Sequence, residues 1–84
     1  MKIFGKVQGV WFRASAAKVA KSLNLKGFAK NLPDGSVEII AVGQRNDLEQ
    51  LRAWAEVGPT GARVEKIEES WSKTEADFKD FKIL

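Results

Sequence analysis

"KGFAKNLPDGSVEIIAV", residues 26 to 42, decides the fold. Pro33-Asp34-Gly35 sits in its middle and is a turn signal with a mechanism. Proline presets φ, and glycine accepts φ > 0 at no steric cost. The "KGFAKNL" before it and the β-branched "SVEIIAV" after it read as strands. Residues 26 to 43 are therefore predicted to form a β-hairpin that ends at Gly43.

Working outward, each arm of the hairpin meets a helix. Upstream, "FRASAAKVAKSLNL" places Phe12, Ala16, Val19, Ala20 and Leu23 at helical spacing. Lys18, Lys21 and Ser22 fall on the other side, as an amphipathic helix requires. Downstream, Leu48, Leu51, Trp54 and Ala55 form the apolar stripe of a second helix. Asn46 and Glu49 have the spacing of an N-cap and its capping-box partner. The helix is predicted to stop near Gly58-Pro59, and "GPTGA" is a loop.

The outermost segments supply the remaining strands. "KIFGKV" is a short first strand, and "RVEKIEESW" is a later one that includes Trp71. Val64 and Ile67 stand three apart, which breaks alternation and points to a bulge or an edge. "SKTEAD" is a polar connector, and "FKDFKIL" offers a last short strand. The order is β-α-β-β-α-β plus a C-terminal strand. Right-handed crossovers then place both helices on one face of one antiparallel sheet. This is the ferredoxin-like α+β sandwich, expected as a single domain over residues 1–84. Such a fold hosts enzymes, RNA-binding modules and ligand sensors, so it does not fix function.

Composition narrows the chemistry. With no cysteine and no histidine, thiol chemistry, disulfides, a Ser-His-Asp site and a zinc–histidine cage are all excluded. Fourteen basic against eleven acidic residues give a net charge of +3, mild enough for a small anionic ligand. No apolar run approaches the roughly 18 residues of a membrane span. A secretory signal is not expected, because Gly5, Lys6 and Gln8 interrupt the apolar start. The cytoplasm is the expected compartment.

"GKVQGVWFR", residues 5 to 13, joins the first strand to the first helix. Unpaired amides at a helix start, with glycines allowing close approach, form an anion cradle. Arg13 stands at its mouth, and a guanidinium fork matches two phosphate oxygens. The plainer alternative is that Gly9 turns the chain and Arg13 is a solvated first-turn residue. Asn31 likewise has two readings at the end of its strand: a turn former bonded to its own backbone, or a site residue.

Taken together, the two segments resemble the acylphosphatase family. Gly5, Val7, Gln8, Gly9, Val10, Phe12 and Arg13 fit its first signature, G-x-V-Q-G-V-x-F-R. Gly27, Phe28, Ala29, Lys30 and Asn31 fit its second, G-aromatic-small-basic-N. Asp34-Gly35, Val37-Glu38 and "GPTGARVEKIE" extend the likeness over nearly the whole chain. The family usually has several more residues ahead of "IFGKVQGV", and Thr60 stands where a second proline is common.

The resemblance implies hydrolysis of the carboxyl–phosphate bond of small acyl phosphates. It implies that backbone amides of Gln8, Gly9, Val10, Trp11 and Phe12 cradle the phosphate and that Arg13 clamps its oxygens. Asn31 would orient the attacking water. No metal or other cofactor is implied. The partner is a small acyl phosphate, with no nucleic acid and no membrane, and the protein is expected to be a monomer.

Other residues receive plainer readings. Trp54 is expected in the core, and Trp71 packed on a strand. Trp11 fills the variable slot of the signature and has two readings, lining the site mouth or packing in the core. Strand alternation points Lys30 away from Asn31. Glu65, Glu68 and Glu69 read as a solvated charge run.

Two rival functions use the same fold. One is a non-catalytic domain binding phosphate or carbamoyl-phosphate-like anions inside a larger assembly. The other is an RNA-binding module, which needs stacking aromatics on the central strands. "KIFGKV" offers only Phe4, and "VEIIAV" offers none.

Overall fold

The computed structural model describes residues 1–73 and 77–84. Its elements are β1 (Lys2–Lys6), α1 (Phe12–Ser22), β2 (Lys26–Asn31), β3 (Val37–Val42), α2 (Arg45–Val57), β4 (Arg63–Glu68) and β5 (Phe81–Ile83). The strands form one sheet in the order β4-β1-β3-β2-β5. Part of the polar connector, residues 74–76, lies outside the described residues.

The β2–β3 hairpin runs in unbroken antiparallel register from Lys26↔Val42 to Asn31↔Val37. β4, β1, β3 and β2 pair with one another antiparallel, and β5 joins β2 in parallel, so the sheet as a whole is mixed. Strand alternation sends Ile3, Ala29, Val37 and Ile39 into the core. They meet Phe12, Ala16 and Ala20 of α1 and Leu51 and Ala55 of α2. Both helices thus lie on one face of the sheet.

The break in β4 alternation has a local cause. Phe4 pairs with Lys66 and Gly5 with Val64, leaving Glu65 as the extra residue of a bulge. Gly5 has φ +128°, and a Cβ built there would lie 2.1 Å from the Arg63 carbonyl oxygen. Only glycine permits that approach. β4 is also the sheet edge, so both features suggested by Val64 and Ile67 are present.

Three expectations need correction. The first helix stops at Ser22, short of Leu25, because Asn24 adopts a left-handed φ of 58°. Its N–H donates to the Lys21 carbonyl at 3.1 Å, and the Leu25 N–H to the Ala20 carbonyl at 2.9 Å. That pair is a Schellman closure. At α2, Asn46 is no cap. The helix starts at Arg45 after an extended Gln44, and no side chain caps it. Glu49 is held instead by Arg45, at 3.0 Å one turn away. The third concerns Trp71, which lies beyond the end of β4 and is 42% exposed. The Arg45 guanidinium stacks on its ring at 4.6 Å, a cation–π contact that replaces strand packing. Trp54 packs at the border of the core, with its ring 5.2 Å from Phe12.

Candidate active site

The β1–α1 loop is built by alternating inward and outward residues. Val7 and Phe12 are buried, while Trp11 between them is 82% exposed. Phe12 anchors the helix start against Trp54 and beneath Gly58, where a Cβ would meet the Phe12 ring at 2.7 Å. Two residues of the loop have positive φ: Gly9 at 76° and Trp11 at 63°. For glycine this costs little. For tryptophan it is a strained conformation that the surrounding structure must hold in place.

That geometry leaves the N-terminus of α1 open. The Trp11 side chain makes no cap hydrogen bond, and the first turn contains no acidic residue. The first backbone bond at this end is Ser15 N–H to the Trp11 carbonyl, at 3.0 Å. Among the described residues, the amides of Gly9 to Ala14 meet no backbone acceptor. Free N–H groups and the positive end of the helix dipole coincide here, with no acidic side chain in the first turn to neutralise them.

Two contacts lock this loop against the sheet. The Gln8 side-chain amide donates to the carbonyls of Leu32 at 2.8 Å and Ser36 at 2.9 Å. It thereby fastens the loop to the turn that follows Asn31. The Arg13 guanidinium donates to the Leu84 backbone oxygen at 2.6 Å. Leu84 in turn donates its N–H to the Ala29 carbonyl at 2.8 Å, beside the end of β2. Only one of the five guanidinium donors is used by the Leu84 contact.

Asn31 is the last residue of β2. It shares a face with buried Ala29, whereas Lys30 is exposed on the other face, as alternation required. The turn beside it is held by Asp34, whose carboxylate accepts from the Ser36 hydroxyl and from the Ser36 N–H at 3.0 Å. Those bonds, the hydroxyl foremost, hold the Asp34 carboxyl down at about 2, with a smaller contribution from Lys2.

Arg13 and Asn31 line one cavity of about 340 Å³, together with Gly9, Trp11, Phe12 and Ile83. The side chains of Gln8 and Val10 do not line it. Gln8 is turned to the hairpin, and Val10 packs against the core. A second groove, of about 280 Å³, lies at the far end of β3 near Leu48, Trp71 and Phe78 and contains neither Arg13 nor Asn31. Sequence reasoning missed Ile83 and Leu84. They reach the site only because β5 pairs with β2, and no local pattern announces that pairing. Among the described residues, no three acidic, His or Cys side chains gather in a way that could hold a metal ion. No helix among them is long and apolar enough to cross a membrane.

Comparison with known proteins agrees with both the fold and the signatures. The family model described as Acylphosphatase matches residues 1–83. A protein of Pyrobaculum aerophilum named acylphosphatase is 48% identical over 83 residues, covering 98% of this chain and 87% of its own length. The solved acylphosphatase of Coxiella burnetii superposes with a TM-score of 0.93 at 40% identity, covering 99% of this chain and 86% of that one. For the acylphosphatase of Bacillus subtilis the TM-score is 0.96 at 32% identity, with 99% and 92% covered. This chain therefore belongs to the acylphosphatase family and is an enzyme that hydrolyses acyl phosphates.

Proposed function

We propose that the cavity between the β1–α1 loop and the end of β2 is where the carboxyl–phosphate bond is cleaved. Arg13 clamps the phosphoryl oxygens, and the amides of the loop from Gln8 to Phe12 surround them. The Asn31 side chain orients the attacking water. One observation carries this reading: Arg13 and Asn31 line a single cavity of about 340 Å³ at the open N-terminus of α1.

The reaction suits that inventory. Water oxygen bonds to phosphorus as the bond from phosphorus to the acyl oxygen breaks, giving a carboxylate and inorganic phosphate. The leaving carboxylate has a conjugate-acid pKa of about 4, so it needs no general acid. What remains is to position the phosphoryl group, stabilise its charge and hold the water in line. Asn31 suits the last task, because its carbonyl accepts from water and its NH₂ can be anchored. An amide is too weak a base to take the proton, so the substrate's own phosphate oxygens receive it. The protein works as a monomer on free acyl phosphates in the cytoplasm, without a metal and without nucleic acid.

The test is hydrolysis of benzoyl phosphate followed by ultraviolet absorbance, with excess chelator present. The parent is expected to turn over unaffected by chelator. Arg13→Ala and Asn31→Ala, with folding intact, are each expected to lose roughly a hundredfold or more in kcat. Arg13→Lys is expected to recover little, because an ammonium cannot form the fork. Full activity in either alanine variant would remove that residue from the mechanism.

A further inference from the structure

We propose that Trp11 and Ile83 form an apolar clamp at the mouth of the cavity. This clamp selects acyl phosphates with a bulky, uncharged acyl group over those bearing a second anionic group. The inference rests on the reading of the cavity given above.

Five large hydrophobic side chains are markedly exposed among the described residues: Trp11, Val57, Trp71, Ile83 and Leu84. Two of them, Trp11 and Ile83, meet at this site. Both line the cavity together with Arg13. Single exposed apolar residues need no explanation, but two that meet at a polar centre point to a binding surface. Trp11 is the sharper case. Its neighbours Val10 and Phe12 pack inward, while the indole stands 82% exposed on a backbone with φ +63°. A strained backbone that holds an aromatic ring in water gains nothing for the fold.

The cavity lining supplies the second argument. Among the described residues, Arg13 is the only charged side chain in that lining. With the phosphoryl group on Arg13 and the loop amides, the rest of the substrate must leave through the mouth, past Trp11 and Ile83. An aromatic or branched acyl group there buries apolar surface against both. A second carboxylate or phosphate would be partly desolvated with no cation to pair with it.

The test compares kcat/KM for benzoyl phosphate, acetyl phosphate and succinyl phosphate. The parent is expected to prefer benzoyl over succinyl phosphate by roughly tenfold or more. Trp11→Ala and Ile83→Ser are each expected to lower the benzoyl-to-acetyl ratio by roughly fivefold to tenfold. Trp11→Phe is expected to restore most of it. The ratio is the proper readout, because all these substrates share the phosphate end and damage to the cradle cancels. A ratio unmoved in both variants, or succinyl phosphate used as well as benzoyl phosphate, overturns the clamp and leaves the catalytic reading standing. No turnover of any of the three by the folded parent overturns both.

Discussion

The Gln8 side chain donates to the Ser36 carbonyl across 28 residues of chain and, at 2.8 Å, to the Leu32 carbonyl as well. One amide group thus sets the spacing between the loop that carries Arg13 and the strand end that carries Asn31. Its own backbone sits in the signature loop, yet its side chain serves the opposite wall.

Replacing it separates stability from positioning. Gln8→Ala leaves the part-buried Leu32 carbonyl without this donor and is expected to cost about 1–3 kcal/mol. In a domain of this size each kilocalorie lowers Tm by roughly 4–8 °C. A small loss of register between Arg13 and Asn31 is also expected to lower kcat by roughly tenfold or more. Gln8→Glu is expected to be worse on both counts, because a carboxylate would face two carbonyl oxygens. Calorimetry and benzoyl phosphate kinetics check this. Unchanged kcat in a destabilised Gln8→Ala would make the contact structural only.

Gly5 carries a prediction of a different kind. Its φ of +128° disfavours any side chain, and a Cβ there falls 2.1 Å from the Arg63 carbonyl oxygen and 2.9 Å from the Glu65 nitrogen. The neighbour is backbone and cannot swing away. Gly5→Ala is therefore expected to lose about 3 kcal/mol or more, combining backbone strain and overpacking. Urea unfolding measures it. A loss under about 1 kcal/mol would mean that β4 can shift away and that the bulge does not depend on glycine.

The pH dependence of stability follows from Asp34. Its folded pKa is held down at about 2 from an ordinary 3.8, chiefly by the Ser36 hydroxyl. A depressed carboxyl stabilises the fold above its unfolded value, and that contribution is lost as pH falls through the folded value. The expected window is therefore pH 4 down to pH 2. Asp34→Asn removes the titration, so its Tm should fall less steeply across that window than the parent's. Parallel curves for the two proteins would show that the Asp34–Ser36 bonds do not persist in solution.

Local patterns made most of the fold legible. Helix and strand order follows from periodicity within each segment, and the Pro33-Asp34-Gly35 turn sets the hairpin register. The candidate site was legible as a cavity where signature residues lie close in the chain, as in the loop from Gly9 to Arg13. Contacts between distant segments were not. Arg13 meets Leu84 across 71 residues, and Ile83 enters the cavity only through parallel pairing of β5 with β2. Neither leaves a trace in spacing or composition. The Asn46 cap failed for a related reason. Capping-box spacing is present, but Arg45 competes for Glu49 and draws it into a helix-face ion pair. Trp71 read as a strand residue because its exchange of strand packing for the Arg45 guanidinium is a tertiary event.

The proton inventory of the cavity makes the final prediction. Asn31 carries an amide, which does not ionise. Among the described residues, no aspartate, glutamate or lysine lines the cavity. An enzyme that uses only these groups has nothing of its own to titrate near neutrality. The kcat for benzoyl phosphate should therefore be level from about pH 6 to about pH 9, without the bell shape of an acid–base pair. Any acid limb should follow protonation of the substrate phosphate and shift when the acyl group is changed. An inflection near neutrality that stays fixed across substrates would reveal an ionising group on the protein. It would end the account in which the phosphate itself accepts the proton from water.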